Sequence, residues 1–216
     1  LLASEVAGVS NVSTGSQAGK PVLRGLTGLR IRSVFDGVAD EYYQYGIRHH
    51  PTTSLLNVDR VEVVRGPASL LFGSDALGGA VNMRLKPIPS AAGTLPAVRG
   101  RVGGHFYSTN GERAGEVDLA VASGAFGARF GIERRIGDEF ETPEAPTFFE
   151  TGVGGTGGDP KYTGEIPFTD FEQWSTFASA GVKGDRGSLR VSYDHWSTDE
   201  NFLLPAGGPT GDRKSV

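Results

Sequence analysis

The feature that most constrains this chain is a series of strands beyond residue 96 in which apolar and charged side chains alternate. In the first strand, Val98, Val102 and Phe106 share one face. Arg99 and Arg101 share the opposite face. Because side chains on a strand point alternately to its two sides, this period predicts a β-sheet whose faces meet different surroundings.

Composition favours a sheet and excludes several kinds of site. The chain has 33 glycines, and because each glycine costs a helix interior about 1 kcal/mol, a helix bundle is excluded. Without cysteine there are no disulfides, thiolate metal sites, iron–sulfur clusters or cysteine nucleophiles. The net charge of −4 gives no electrostatic reason to expect nucleic acid as a partner.

The strands are separated by clear turn signals. Asn110-Gly111 predicts a tight hairpin, and Ser123–Ala125 and Gly184–Gly187 predict two more tight turns. A long glycine-rich loop, Asp138–Thr169, precedes a less regular fourth strand at Glu172–Lys183. The predicted polar face of this sheet consists of Arg99, Arg101, Glu116, Asp118, Arg129 and Glu133.

Alternation of this kind is also typical of a soluble β-sandwich, and three observations favour a membrane barrel instead. The strands run about 10 residues, the length that crosses a bilayer at a barrel tilt. Their polar face is densely charged, as a water-filled lumen permits. Short turns lie at one end of the strands and the long loop at the other, the asymmetry of outer-membrane barrels.

Residues 1–90 have a different texture, with short strands and frequent glycines, and predict a small α+β domain. Pro67 is expected to open a short helix that Gly73 ends. The segment Pro87–Pro96 reads as a linker to the second part of the chain. The predicted strands of the first part are Leu29–Phe35, Val58–Arg65 and Ala80–Leu85.

Four blocks of the first part occur in a recognisable order, namely Arg24–Leu26, Phe35–Val38, Val61–Gly73 and Ala76–Asn82. In sequence and spacing they resemble the plug domain of TonB-dependent outer-membrane receptors. The strands after the linker resemble the start of the barrel in that family. The resemblance therefore extends over most of the chain.

The resemblance implies an α+β plug domain at residues 1–90, followed by antiparallel transmembrane strands at residues 97–216. The chain would be mainly β, with about five strands of a barrel of about 22. We expect it to be a piece of a longer protein in the outer membrane of a Gram-negative bacterium. Its implied partners are outer-membrane lipid, a small-molecule ligand and a TonB-type energy-transducing protein, reached through an N-terminal segment that the chain lacks.

The implied function is energy-coupled import of an external ligand, a ferric siderophore, by remodelling of the plug. The same fold could instead import haem, cobalamin, a metal complex or a glycan. A soluble β-rich adhesion or carbohydrate-binding module is an alternative of another class, and an enzyme is a remote one. We expect no catalytic residue and no cofactor, because no nucleophile-elbow or similar spacing is present.

Ligand contacts are expected on the loop that follows the Asp36-Gly37 turn, which reaches the external pocket in that family. Tyrosines supply contact area at low entropy cost, and an arginine can meet an anionic ligand. Alternatively, these aromatics pack on the barrel wall. Adjacent histidines on a strand point opposite ways, so His49-His50 is not expected to chelate a metal there. The candidate residues are Tyr42, Tyr43, Tyr45, Arg48, His49, His50 and, more weakly, Arg30.

A second group of residues is expected to shape the plug and its contacts with the barrel. Glu62 and Arg65 would pair with wall residues such as Arg99, Arg101, Glu116 or Asp118, or else form a bridge within the plug. The glycines permit tight turns and close approach of the backbone. The group consists of Arg24, Gly25, Asp36, Gly37, Glu62, Arg65, Gly66, Pro67, Gly73, Gly78, Gly79 and Asn82.

Overall fold

The computed structural model of the chain describes residues 6–13, 19–44, 54–91, 95–141, 165–166, 169–200 and 214–215. The chain divides into two compact units, Leu1–Ile88 and Pro89–Val216. Within the described ranges, no helix is both long enough and apolar enough to cross a membrane.

The first unit combines short strands with two single-turn helices. They are β1 (Val9–Ser13), β2 (Gly19–Leu23), β3 (Ile31–Phe35), β4 (Val38–Ala39), α1 (Glu41–Gln44), β5 (Val58–Arg65), α2 (Ser69–Phe72) and β6 (Gly79–Leu85). Four strands form a mixed sheet in the order β4-β3-β6-β5, and β1 and β2 form a separate antiparallel hairpin. The predicted α+β class of this unit is confirmed.

Strand β6 is the centre of this unit. It pairs in parallel with β3 and antiparallel with β5, and its first five residues are buried. A strand that is buried on both faces needs no alternation of apolar and polar side chains, which explains the run of small and apolar residues in β6. Val81 of β6 packs in a core cluster with Ile31, and with Val9 and Leu23 of the hairpin. The hairpin is therefore joined to the sheet through apolar contacts.

Two turns of this unit have left-handed backbone at both central positions. Arg24 and Gly25 have φ of 50° and 80°, and the flanking Leu23 and Leu26 exchange backbone hydrogen bonds of 2.9 and 3.0 Å. Asp36 and Gly37 have φ of 48° and 92°, which confirms the turn predicted there. Left-handed pairs are typical of type I′ turns, which fit the twist of the strands they join.

The predicted elements of this unit are close to the observed ones, with two differences. Strand β3 begins at Ile31 because Gly28–Arg30 form a single 3-10 turn. Helix α2 begins at Ser69 instead of Pro67, because Ala68 has a non-helical backbone, with φ of −121° and ψ of 17°, and serves as the N-cap. Gly73 ends this helix as predicted.

The second unit is dominated by long antiparallel strands. They are β7 (Ala97–Tyr107), β8 (Glu112–Ser123), β9 (Phe126–Gly137), β10 (Phe140–Glu141), β11 (Glu165–Ile166), β12 (Phe171–Gly184), β13 (Gly187–Glu200) and β14 (Lys214–Ser215). Six of them form one sheet in the order β14-β13-β12-β9-β8-β7, and β10 pairs with β11.

The register of this sheet confirms the predicted separation of its two faces. Arg101 lies opposite Asp118, and Arg99 lies in line with Ala120 and Arg129. The opposite face has no apolar cover among the described residues. Its large exposed side chains include Val98, Val102, Phe106, Leu119, Val121, Phe126, Phe130, Leu189, Val191 and Tyr193. A soluble sandwich would bury such a face.

The hairpin between β7 and β8 is present, but its turn is longer than predicted. Tyr107 pairs with Glu112, which leaves four residues in the loop instead of the two-residue turn expected for Asn110-Gly111. Of these only Gly111 has a positive φ, 61°. The backbone carbonyl of Asn110 accepts a 2.9 Å hydrogen bond from the N–H of Asp138, which holds the loop in this form.

Strand β12 is regular, contrary to the sequence prediction. It pairs without a break with β13, from Phe171 to Gly184, and with β9 as far as Val182. It looked irregular because Phe171 and Phe177 lie on the polar face, where they interrupt the alternation. Each ring covers a glycine of β9, since a Cβ at Gly131 would lie 2.2 Å from Phe177 and one at Gly137 would lie 2.3 Å from Phe171.

A side chain at position 131 should therefore destabilise the sheet. Gly131→Val is expected to reduce the free energy of unfolding by about 1–3 kcal/mol, because the Phe177 ring occupies its space. Urea unfolding of the complete protein in detergent micelles measures this. The matched control is Gly115→Val, where a Cβ meets nothing within 4 Å. Equal free energies of unfolding for Gly131→Val and Gly115→Val would contradict the packing described here. Adding Phe177→Ala to Gly131→Val should restore part of the stability that Gly131→Val loses.

Candidate functional site

The described part of the candidate ligand loop consists of helix α1 and the residues just before it. The helix is capped by Asp40, whose Oδ1 accepts a 3.0 Å hydrogen bond from the N–H of Tyr43. A carboxylate at this position also suits the partial positive charge of a helix N-terminus. Of the predicted ligand residues, Tyr45, Arg48, His49 and His50 lie outside the described residues.

The two described tyrosines of α1 face different surroundings. Tyr42 is 39% exposed, whereas Tyr43 is 8% exposed and lies inside the unit. The hydroxyl of Tyr43 donates a 2.5 Å hydrogen bond to the carbonyl of Gly19 on β2. Tyr42 therefore lies at the surface of the unit, while Tyr43 fastens the helix to β2.

Lys20 of β2 packs against the ring of Tyr43. It was not identified as a site residue from the sequence. Its ammonium nitrogen lies 3.9 Å from the centroid of the Tyr43 ring, a cation–π geometry. The residue is only 2% exposed, and within the described structure its Nζ has no hydrogen-bond acceptor. A lysine in a short strand normally lies at the surface, so nothing in the sequence indicated its burial.

Burial moves the pKa values of both partners. It lowers the pKa of Lys20 from 10.5 to about 8, and the carboxylate of Asp40 opposes part of this change. Burial also raises the pKa of Tyr43 to about 12, with a further contribution from Asp40. Each shift favours the neutral form of the group, as expected where water is excluded.

Strand β3 also holds α1. The side-chain amide of Gln44 donates a 3.0 Å hydrogen bond to the carbonyl of Ile31. Arg32 lies 3.8 Å from the carboxylate of Glu41 and 2.9 Å from that of Asp75, so it links the helix to the loop after α2. The predicted ligand residue Arg30 is exposed in the 3-10 turn just before β3.

The predicted plug residues Glu62 and Arg65 make contacts within the first unit but not with each other. Glu62 accepts 2.9 Å hydrogen bonds from Arg60 and from Asn82, and the bond from Arg60 is the main cause that lowers the pKa of Glu62. Arg65 donates a 2.7 Å hydrogen bond to the carbonyl of Ala7. A bridge between Glu62 and Arg65 was therefore the wrong prediction, since neighbours three apart on a strand lie on opposite faces.

The glycines of the plug blocks bring separate segments of backbone together. The N–H of Gly66 donates a 3.0 Å hydrogen bond to the carbonyl of Gly78, which ties the end of β5 to the start of β6. Gly79 has a φ of 137°, and a Cβ there would lie 2.1 Å from the carbonyl oxygen of Val64. Only glycine fits this position, because both the backbone conformation and the neighbouring strand exclude a side chain.

The polar face of the second unit has charge pairs across neighbouring strands. Arg129 contacts the carboxylate of Asp118 at 2.9 Å, and Arg101 contacts that of Glu116 at 3.0 Å. The sequence prediction missed a further cluster around Glu112, which accepts hydrogen bonds of 2.7 and 3.0 Å from Arg135. Cross-strand pairing brings these residues together, and this register is not visible in a sequence.

No metal site is apparent in the part of the chain that the structure describes. There, no three or more His, Cys, Asp or Glu residues are close enough to hold a metal ion. Helix α1 presents the exposed Tyr42 at the surface, and the Arg32–Glu41 ion pair and the Gln44 hydrogen bond hold the helix on β3.

Comparison with known proteins identifies the first unit. Residues 1–80 match the family model described as the TonB-dependent receptor plug domain. Two curated proteins are similar in sequence. Heme/hemopexin utilization protein C of Haemophilus influenzae is 41% identical over 69 residues, which cover 32% of this chain and 10% of that protein. Vitamin B12 transporter BtuB of Photobacterium profundum is 31% identical over 109 residues, which cover 50% of this chain and 18% of that protein.

Solved structures share the fold over nearly the whole chain. The copper transporter OprC has a TM-score of 0.67 at 18% identity, over 91% of this chain and 28% of that one. The FrpB iron transporter from Neisseria meningitidis has a TM-score of 0.63 at 17% identity, over 93% of this chain and 29% of that one. The chain spans less than a fifth of the two curated relatives. The names of these relatives describe transport and utilization.

The buried ammonium of Lys20 should make stability depend on pH. Between its folded pKa of about 8 and its ordinary value of 10.5, the unfolded chain binds more protons, so this group's contribution to stability rises with pH. Tyr43 acts in the opposite direction, but only above its ordinary value of 10.0. Urea unfolding of the native protein and Lys20→Met at about pH 7.5 and 9.5 should show the rise in the native protein only. Equal pH dependence in both proteins would contradict the buried position of Lys20.

Proposed function

We propose that this chain, which carries the plug domain of the TonB-dependent receptors, belongs to an outer-membrane receptor that imports an external nutrient. The observation that supports this most strongly is the order of its parts. A plug unit with the family's turns and glycines precedes a sheet with one apolar and one charged face. The receptor binds its ligand, and a TonB-type protein supplies energy that remodels the plug.

The sheet of the second unit is proposed to form part of the barrel wall. Its exposed apolar face, on which Val102 is 81% exposed, contacts outer-membrane lipid. Its opposite face, with the Arg129–Asp118 and Arg101–Glu116 pairs, lines the interior. Charged pairs tolerate contact with water in a lumen, whereas in lipid each charge would cost several kcal/mol at the midplane, about 2–4 for arginine.

Remodelling of the plug is proposed to begin at β1. In the described structure, this strand pairs with β2 alone and lies outside the four-stranded sheet. The segment before it is held by the hydrogen bond from Arg65 to Ala7, and Gly8 accepts one from the Arg24 N–H at 3.4 Å. A pull on the N-terminal side would break these contacts before reaching β3 and β6. The plug can thus loosen in steps.

The proposed ligand is a ferric siderophore, with the exposed Tyr42 as its contact on α1 and the exposed Arg30 of the 3-10 turn as a further candidate. Iron chelates commonly carry negative charge and aromatic or amide groups, which an arginine and an exposed tyrosine complement. The other candidates for contact with the ligand remain Tyr45, Arg48, His49 and His50. Binding and gating need no covalent step, so no catalytic residue is assigned.

Haem is the second candidate ligand. The observation in its favour is the 41% identity to the heme/hemopexin utilization protein. Cobalamin and copper, named for two other relatives, are included in the test as further outcomes.

Uptake by cells that lack the gene, with and without the complete protein restored, tests the proposal. Radio-iron bound to a panel of siderophores, haemin, cobalamin and copper are supplied separately. We expect uptake of one ferric siderophore to depend on the protein and on the proton gradient. Tyr42→Ala should weaken uptake about tenfold, as loss of a central aromatic contact does, and Tyr42→Phe should retain most of it. Gradient-independent uptake, or none with any probe, would contradict the proposal.

A further inference from the structure

We propose that Lys20 and Tyr43 form a latch that fastens helix α1 to the β1–β2 hairpin, with Lys20 as a positioning residue for the exposed Tyr42. The role of Tyr42 rests on the proposed function, whereas the latch itself is a property of the described plug. It would join the surface offered to a ligand directly to the first strands of the chain.

The latch consists of two contacts on one aromatic ring. The hydroxyl of Tyr43 donates to the carbonyl of Gly19, and the ammonium of the next residue, Lys20, lies 3.9 Å from the ring centroid. Both contacts come from the start of β2, where Gly19 pairs with Ser13 at the end of β1. Movement of α1 away from β2 would break both at once.

The surroundings of the ammonium show why this contact matters. Lys20 is 2% exposed, so its charge has lost nearly all contact with bulk water. In the described structure its Nζ has no hydrogen-bond acceptor, and the Oε1 of Gln44 in α1 has no hydrogen-bond donor. Both side chains line a cavity of about 10 Å³ beside Tyr43, room for about one water molecule. The face of the ring and the carboxylate of Asp40 favour this buried charge, while burial disfavours it.

The charge on Lys20 is open to titration near neutral pH. The titratable groups that face it are Tyr43 of α1 and Asp40 at the cap of that helix, whose carboxylate favours the charged form. From β3 and the 3-10 turn, the cavity is lined by the uncharged residues Ile31, Ser33 and Gly28. Loss of the proton would remove the cation–π contact but leave the hydroxyl bond to Gly19. Because the closed latch lowers the pKa of Lys20, it binds fewer protons than an open latch whose ammonium meets water, so the closed form should gain population as the pH rises through about 8.

Distance measurements between spin labels test the latch without any ligand. Because the chain has no cysteine, two can be introduced at chosen positions. Ser10→Cys with Glu41→Cys spans the latch, from β1 to α1, and both positions are exposed. Val38→Cys with Asp59→Cys lies within the four-stranded sheet and is the matched control pair. The complete protein is labelled in detergent micelles at about pH 7 and 9.5, on either side of the lysine titration.

The variants Lys20→Met and Lys20→Arg separate charge from packing. In the native protein we expect the fraction of molecules outside the main 10–41 distance peak to fall about threefold or more between about pH 7 and 9.5, because loss of the proton removes the cost of burying the ammonium. In Lys20→Met, which carries no charge, that fraction should be as low at both pH values as in the native protein at the higher one. In Lys20→Arg, which stays charged, it should not fall with pH. The 38–59 distances should stay unchanged throughout.

Two results would overturn the proposal. One is a 10–41 distribution that is the same in Lys20→Met as in the native protein at both pH values. The other is a 38–59 distribution that changes between the two pH values as much as the 10–41 distribution does, which would show a general change in the plug. Neither result depends on ligand uptake, so failure of the latch and failure of the proposed function are distinguishable.

Discussion

A sheet with one apolar face and one charged face needs two different surroundings, and the rest of this structure depends on that constraint. In the second unit, the apolar face is uncovered among the described residues, and the opposite face buries Asp118 against Arg129. Water cannot satisfy the first face, and lipid cannot satisfy the second. In the proposed function, a membrane on one side and water on the other meet both needs.

In the proposed function, the first unit meets a different constraint, since it has to be compact and yet able to come apart. Its sheet is joined by close backbone approach at Gly79, where no side chain fits, and by a hydrogen bond from the N–H of Gly66 to the carbonyl of Gly78. The β1–β2 hairpin is attached more lightly, through a small apolar cluster and a few side-chain contacts. Lys20 adds a buried charge to that attachment, which makes it sensitive to pH.

Much of this arrangement could be predicted from sequence because it follows from local chemistry. Strand β5 has the predicted bounds, the two faces of the large sheet separate as the alternation indicates, and the Asp36-Gly37 turn is present. What the sequence concealed depends on contacts between distant segments. The burial of Lys20, the four-residue loop that Asp138 holds, and the fit of Phe177 over Gly131 all require the paired strands to be in place. The ligand surface was predicted as a set of neighbours in sequence, and the structure turns Tyr42 and Tyr43 to different surroundings.

Lipid quenching of fluorescent labels on neighbouring residues of β7 tests the central claim most directly. Single cysteines replace Val98 or Val102 on the apolar face, and Arg99 or Arg101 on the charged face, in the complete protein reconstituted with lipids that carry a quencher. The account predicts strong quenching at 98 and 102 and little at 99 and 101, a period of two along the strand. Equal quenching at all four positions, or none at any, would contradict the assignment of the apolar face to lipid.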